Sequence, residues 1–86
     1  MIIGKVIGSV VSTRKNEKLV GSKFMVVEPV SSMGKGNFVA VDNVGAGIGE
    51  FVLVTLGSSA RKCNDYDDSP IDATIVGIID DGEDLK

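Results

Sequence analysis

A run of glycines in the middle of the chain is the first feature that could carry chemistry. Gly45-Ala46-Gly47-Ile48-Gly49 has the composition of a loop that cradles phosphates. A dinucleotide fingerprint, however, spaces its glycines as G-x-G-x-x-G and is followed by a helix whose N-terminus receives the pyrophosphate. Here the spacing differs, and residues 50–56 that follow, which are mostly apolar, predict a strand. We interpret the run as a tight structural turn whose glycines supply positive φ or close packing against another chain.

A second run, Gly57-Ser58-Ser59-Ala60, could present a serine nucleophile. A nucleophilic serine usually needs an adjacent base. The sequence contains no histidine, and Lys62 has no supporting pattern around it. Helix capping and a small-residue contact explain the run better. We therefore predict no catalytic residue and no enzymatic activity.

Three aspartates near the C-terminal third, Asp65, Asp67 and Asp68, could suggest a calcium loop. An EF-hand loop needs glycine at its sixth position and glutamate at its twelfth. Counted from Asp65, those positions hold Pro70 and Val76. The segment is interpreted as a solvated acidic loop, and no metal or cofactor is predicted.

Composition limits the remaining function classes. The chain has 86 residues, a net charge of −3, and no tryptophan. Barrels that bind single-stranded nucleic acid need a basic groove with aromatic stacking platforms, so we predict no nucleic-acid partner. No apolar run approaches the roughly 18 residues of a membrane span, so we predict no membrane partner. Cys63 is the single cysteine, which excludes an intrachain disulfide and zinc ligation by paired cysteines and fits the cytosol.

The elements that must position the two runs are short strands. Apolar alternation and turn residues predict five of them, over residues 2–13, 22–30, 37–44, 50–56 and 72–80. Gly4 and Gly8 suit a long, bent first strand in a small closed barrel. A short helix is expected over 58–63, and residues 81–86 form a charged, mobile tail. The periodicity predicts one domain, 1–86, that is a small β-barrel or sandwich, and it leaves the topology open.

The two runs, at this separation, resemble the signature of the pentameric vertex proteins of bacterial microcompartment shells (EutN/CcmL type). Residues 41–50 and 57–61 carry the resemblance most sharply. It extends over residues 4–13, 18–23, 70–73 and 76–80, and so covers nearly the whole chain.

The resemblance implies an all-β protein of small α content: a five-stranded OB-like barrel with one short helix, assembling as a cyclic homopentamer. It implies no catalysis and no cofactor. The pentamer would cap the vertices of a polyhedral shell in the cytoplasm, next to hexameric shell proteins. Two alternatives remain open at this point. One is an OB-like barrel that binds single-stranded nucleic acid, and the other is a barrel that binds a small ligand.

A cyclic ring uses heterologous contacts, in which one patch meets a different patch on the next chain. We expect both runs to lie at the subunit interface or the five-fold axis, because small residues let backbones approach closely. Arg61 is expected to anchor the interface through a carboxylate or backbone carbonyls, since its planar fork suits that role. The candidate residues are Asp42, Gly45, Ala46, Gly47, Gly49, Glu50, Gly57, Ser58, Ser59, Ala60, Arg61 and Asp72, of which Asp42, Glu50 and Asp72 are the possible partners of Arg61.

Overall fold

Five strands form, each within or close to its predicted range. The computed structural model describes residues 1–11, 19, 21–30, 36–57, 60 and 71–80. The strands are β1 (Ile2–Val10), β2 (Phe24–Pro29), β3 (Phe38–Asp42), β4 (Phe51–Leu56) and β5 (Ala73–Ile79). Pro29 ends β2, as expected for a residue that has no N–H to donate to the ladder. β1 is shorter than predicted, because it ends at Val10 and leaves Val11 exposed.

Three expectations concern segments outside the described residues. The predicted helix over 58–63 is outside the described residues, with the exception of Ala60. The acidic loop around Asp65 and the tail 81–86 are also outside them. Ala60, the described residue of the predicted helix, is helical, and the described ranges contain no longer helix.

The strands close into a barrel in the order β1-β2-β3-β5-β4, with β4 pairing back to β1. All neighbours are antiparallel except β3 and β5, which pair in parallel through Val41↔Thr74 and Asp42↔Ile75. Closure removes the open sheet edges at which other chains could add a strand. This is the five-stranded, OB-like barrel that the resemblance implied, so that expectation is confirmed.

The inside of the barrel is filled mainly by small branched side chains. Alternation places Met25 and Val27 of β2 inward, and Val6 of β1 packs beside them. The buried cluster comprises Val6, Met25, Val27, Ala40, Ala46, Val52, Val54, Ala73 and Ile75. All three phenylalanines are only half-buried. Phe38 packs against the edge of this cluster, and the Phe51 ring instead lies 5.8 Å from Lys5 Nζ.

A second, smaller cluster consists of Val41, Ala60 and Ile71, with Leu19 and Phe24 packed against it. Phe24 lies opposite Val41 in the β2–β3 ladder. Its neighbour Met25 belongs to the barrel core, so the alternation of the strand directs Phe24 to the outer face. The second cluster therefore covers the outside of β2 and β3.

β1 bends at a β-bulge. Val6 pairs with Val27 and Gly8 pairs with Val26, which leaves Ile7 without a paired residue on β2. A bulge of this kind increases the local twist and can re-aim a side chain. Ile7 follows the inward-facing Val6 and is exposed, as strand alternation predicts.

Gly4 and Gly8 make a matched pair for testing how tightly β1 packs on β2. A Cβ at Gly4 would overlap Val27 Cγ1 and lie 3.1 Å from the Glu28 carbonyl oxygen, whereas a Cβ at Gly8 would lie 4.0 Å from Val26. We expect Gly4→Ala to lower the free energy of unfolding by about 1–3 kcal/mol, because the valine is stiff at χ1 and the strands must separate. Gly8→Ala should change it by less than about 1 kcal/mol. Denaturant unfolding at one fixed subunit concentration checks both, and equal effects would contradict the packing argument.

Candidate functional site

The loop between β3 and β4 is held together by its own side chains. Asp42 Oδ1 accepts hydrogen bonds from the N–H groups of Val44 (3.0 Å) and Gly45 (3.1 Å). Its other oxygen, Oδ2, lies 3.8 Å from Lys23 Nζ, which also donates to the Ala46 carbonyl at 3.5 Å. The Asp42 side chain is only 1% exposed. This carboxylate therefore closes a turn of the kind that aspartate favours, and it is engaged within its own chain.

The second half of the loop is a four-residue turn that is closed twice. The Glu50 N–H donates to the Gly47 carbonyl at 3.2 Å, and the Gly47 N–H donates to Glu50 Oε1 at 2.6 Å. Gly49 takes the third position with φ +94°. A type II turn requires a positive φ at that position, which favours glycine. Ile48 occupies the second position, at the tip of the turn.

The turn is also fixed to β1. The Gly49 N–H donates to the Val6 carbonyl at 2.7 Å, and the Val6 N–H donates to the Glu50 carbonyl at 2.9 Å. Two residues of the loop thus oppose one residue of β1. With a left-handed glycine at the first of the two positions, this is the geometry of a G1 bulge. The loop is therefore a continuation of the sheet, with a defined position relative to β1.

Glycine is favoured at the three positions of the run for different structural reasons. Gly45 (φ +80°) and Gly49 adopt positive φ, but Gly47 does not. A Cβ at Gly47 would instead lie 3.3 Å from Glu50 Oε1, so close packing of the glutamate favours glycine there. The prediction of a structural turn is supported, and the sequence alone did not show which glycines need which property.

The second run is tied to the start of β5. Gly57 has φ +67° and donates its N–H to the Asp72 carbonyl at 2.8 Å. The Ala60 N–H donates to the Gly57 carbonyl at 3.1 Å, and the buried Thr74 hydroxyl donates to the Ala60 carbonyl at 2.9 Å. Ser58, Ser59 and Arg61 lie outside the described residues, so the anchoring role of Arg61 stays a prediction.

The two runs, residues 41–50 and 57–61, contact each other at one point, and their glycine turns lie far apart. Val41 packs with Ala60 in the outer cluster, because the parallel pairing of β3 with β5 brings them together. Gly49 and Gly57, in contrast, lie beyond opposite ends of the six-residue strand β4. That strand is roughly 20 Å long at about 3.3 Å per residue. The two glycine turns therefore occupy different surfaces of the subunit.

Not every candidate side chain can reach a neighbouring subunit. Ala46 and Ala60 were expected as small residues at a contact, but both are fully buried within the chain. Their methyl groups belong to the barrel core and to the outer cluster, respectively. Among the three carboxylates proposed for Arg61, that of Asp42 is buried, whereas Glu50 and Asp72 are exposed residues. The backbone of the glycine turns and these two acids remain as surface candidates.

Sequence reasoning missed two exposed apolar side chains on the β3–β4 loop. Val44 is 40% exposed, and Ile48 at the tip of the turn is 67% exposed. Turns normally carry polar residues, so a bulky isoleucine between two glycines was the available signal.

The polar groups of the β3–β4 loop are used to stabilise the turn and are not arranged to bind a ligand. A phosphate cradle needs backbone N–H groups that are free to bind a ligand. Here the N–H groups of Gly45, Gly47 and Gly49 already donate to Asp42, Glu50 and Val6. Among the described residues, no group of three or more acidic, cysteine or histidine side chains could hold a metal ion. A search of the same residues finds no helix of the length and apolarity needed to span a membrane.

Gly49→Ala tests whether the positive φ of the bulge holds the loop. A side chain in the left-handed region costs about 1–2 kcal/mol, and we expect the free energy of unfolding to fall by that amount. Gly47→Ala is the matched control, since its φ is not positive and the Glu50 carboxylate can shift. Its expected cost is below about 1 kcal/mol. If Gly47→Ala were the more destabilising of the two in denaturant titrations, the bulge assignment would be wrong.

Comparison with known proteins gives one family. The family model described as "Ethanolamine utilisation protein EutN/carboxysome" matches residues 1–80. The bacterial microcompartment shell vertex protein GrpN of Rhodospirillum rubrum is 52% identical over 83 residues, which cover 93% of each chain. PduN of Salmonella typhimurium, also described as a shell vertex protein, is 45% identical over 87 residues, covering 93% of this chain and 96% of PduN.

Solved structures agree with this match. The structure described as the pentameric microcompartment shell protein GrpN of Rhodospirillum rubrum superposes with a TM-score of 0.79 at 50% identity, covering 94% of this chain and 96% of that one. The structure of Gloeobacter violaceus CcmL superposes with a TM-score of 0.82 at 42% identity, covering 93% and 86%.

Proposed function

Because the chain belongs to the EutN/carboxysome family, we propose that it is a structural shell protein, a cyclic homopentamer that caps the vertices of a polyhedral bacterial microcompartment. The observation that carries this proposal is the 52% identity, over 93% of both chains, to a protein named as a shell vertex protein. Solved relatives described as pentameric shell proteins support the ring.

The role is geometric. Hexagonal tiles alone form a flat layer, and pentagonal units allow that layer to curve and close into a polyhedron. A pentamer at each vertex would therefore contact hexameric shell proteins on all sides and seal the shell. Since its relatives are shell components, the protein functions in the microcompartment shell, within the cytoplasm.

The physical chemistry of the subunit favours a ring. A chain of 86 residues buries a limited fraction of its surface and gains stability from association. The described residues also leave several large apolar side chains exposed: Met1, Ile7, Val10, Val11, Val30, Val39, Val44 and Ile48. Covering some of them with neighbouring copies would remove apolar surface from water, which is the main driving force for stable association.

No catalytic, cofactor or nucleic-acid role forms part of this proposal. The two carboxylates of the β3–β4 loop, Asp42 and Glu50, accept hydrogen bonds from the loop backbone and hold the turn in shape. The net charge of −3 opposes binding of a phosphate backbone. The polar side chains of the β3–β4 loop therefore stabilise the conformation of that loop.

Native mass spectrometry tests the ring directly. We expect one species at five times the 9.0 kDa subunit mass, because the subunit depends on heterologous contacts that close after five copies. The species should persist on dilution into the low micromolar range. A monomer or dimer at all concentrations up to the millimolar range would contradict the proposed function.

Co-assembly with hexameric shell proteins tests the vertex role. When a hexameric shell protein is expressed together with this chain, we expect closed particles in electron micrographs that contain both proteins. The matched control is the hexameric protein alone, which should give open sheets, tubes or particles with missing vertices. Identical particles in both samples, with this chain absent from them, would argue against the role.

A further inference from the structure

We propose that the edge of β3 beside β5 is a docking site for an extended peptide segment of another protein, which binds by adding a short strand. The site, here called the β3 slot, is formed by Val39, Asp72 and Ala73 together with the two cavities that these residues line. It adds a binding function to the proposed shell role and does not depend on the number of copies in the ring.

The closure of the barrel between β3 and β5 does not extend over the whole of β3. The two strands pair only at Val41↔Thr74 and Asp42↔Ile75, although β3 begins at Phe38. The N-terminal half of β3 is therefore paired with β2 on one side, and it has no partner in the ladder with β5 on the other side.

The phase of the β2–β3 ladder shows which backbone groups face the slot. The Asp42 N–H donates to the Lys23 carbonyl at 2.9 Å. Alternate residues of a strand direct their backbone groups to opposite edges, so Val39 and Val41 direct theirs away from β2. Val41 pairs with β5 there. Among the described residues, no hydrogen bond is found for the Val39 N–H or carbonyl on this edge, and both groups can pair with an added strand.

Two cavities flank this edge on opposite faces of β3. The larger one, of about 350 Å³, is lined on the core side by side chains that pack against the barrel core, namely Ile2, Phe38 and Leu56. The smaller one, of about 180 Å³, is lined on the outer side by side chains of the outer cluster, namely Leu19, Phe24 and Ile71. Val39, Asp72 and Ala73 line both cavities, so the cavities adjoin each other at the unpaired edge.

An extended peptide fits this combination of features. Successive side chains of a strand point to opposite faces, so one apolar side chain would enter the core-side cavity and the next would enter the outer cavity. In strand addition, main-chain hydrogen bonds supply affinity and pockets for side chains supply specificity. A compact small molecule would occupy one cavity and leave the Val39 backbone groups unpaired.

Charge narrows the class of peptide. Of the described residues that line the two cavities, only Asp72 is charged, and it is exposed. A lysine or arginine beside the apolar pair would complement this carboxylate. The net charge of this chain is −3, so a second copy matches the slot less well than a basic segment of another protein. The expected partner segment has two neighbouring aliphatic residues flanked by basic ones.

Amide hydrogen exchange, measured by NMR on the assembled protein, tests whether the edge is free. Ala40 is the matched control for Val39, because it pairs with Met25 in the β2–β3 ladder. We expect the Val39 amide to exchange at least tenfold faster than the Ala40 amide, because only the latter is protected by a ladder hydrogen bond. Equally slow exchange would overturn the proposal. If the Val39 amide became fast only on dissociation of the assembly, a second copy would be the occupant, and the proposal would be wrong.

The peptide acetyl-Lys-Val-Leu-Val-Lys-amide is the probe for binding. Its two controls carry glutamate in place of lysine, or methyl groups on the backbone nitrogens of the three central residues. We expect the probe to bind with a Kd below about 1 mM and to slow exchange of the Val39 amide at least tenfold at saturation. Both controls should bind at least tenfold more weakly, because one reverses the charge and the other removes the strand donors.

Asp72→Lys tests the charge, with Asp80→Lys as its matched control. Asp80 is also exposed, and it lies beyond the other end of β5. We expect Asp72→Lys to raise the Kd of the probe at least tenfold and Asp80→Lys to leave it within twofold. Circular dichroism and native mass spectrometry verify that each variant keeps its fold and assembly.

Three results would overturn the inference: no binding of the probe up to about 1 mM, equal binding of the methylated control, or unchanged exchange of the Val39 amide on binding. Failure of the unmodified chain to form a ring would contradict the proposed function and leave the binding result to decide the inference separately.

Discussion

The hydrogen bond from the Gly49 N–H to the Val6 carbonyl is the interaction on which the site depends. Val6 is fully buried in the barrel, so its carbonyl is a fixed point to which the β3–β4 loop attaches. Ala46, in the same loop, is also buried in the core, and it fixes the middle of the loop from the inside. The bond requires a left-handed residue at its donor, which explains glycine at position 49. The exposure of Ile48 follows, because the turn that is attached at Gly49 has its tip in solvent.

The polar residues of the loop serve the same end. Asp42 organises the first half of the loop and Glu50 the second, each through backbone N–H groups of its own segment. Residue types that elsewhere perform acid–base or phosphate chemistry are used here to satisfy a turn. These hydrogen bonds give the loop one fixed conformation. A subunit that assembles into a ring at a shell vertex needs surfaces of fixed conformation.

The sequence predicted the strands well because their apolar alternation is local. In β2 the inward pair Met25 and Val27 follows directly from a period of two. The parallel contact of β3 with β5 joins residues more than thirty positions apart, and no local pattern encodes it. The periodicity left a barrel and a sandwich both open, and the family resemblance implied the five-stranded barrel. The φ values of Gly45, Gly47 and Gly49 depend on which turns close around them, so composition could not assign them. The burial of the Ala46 side chain and the exposure of the Ile48 side chain could not be assigned from the sequence, because a loop pattern does not show which side chains face the core.

The central claim is that copies of this chain close into a five-membered ring. A structure of the assembled protein by electron cryo-microscopy measures the number of copies directly. We expect five copies related by one rotation axis, each with the closed five-stranded barrel and with heterologous contacts to both neighbours. A ring with another number of copies, or a protein that forms no closed ring, would contradict the claim.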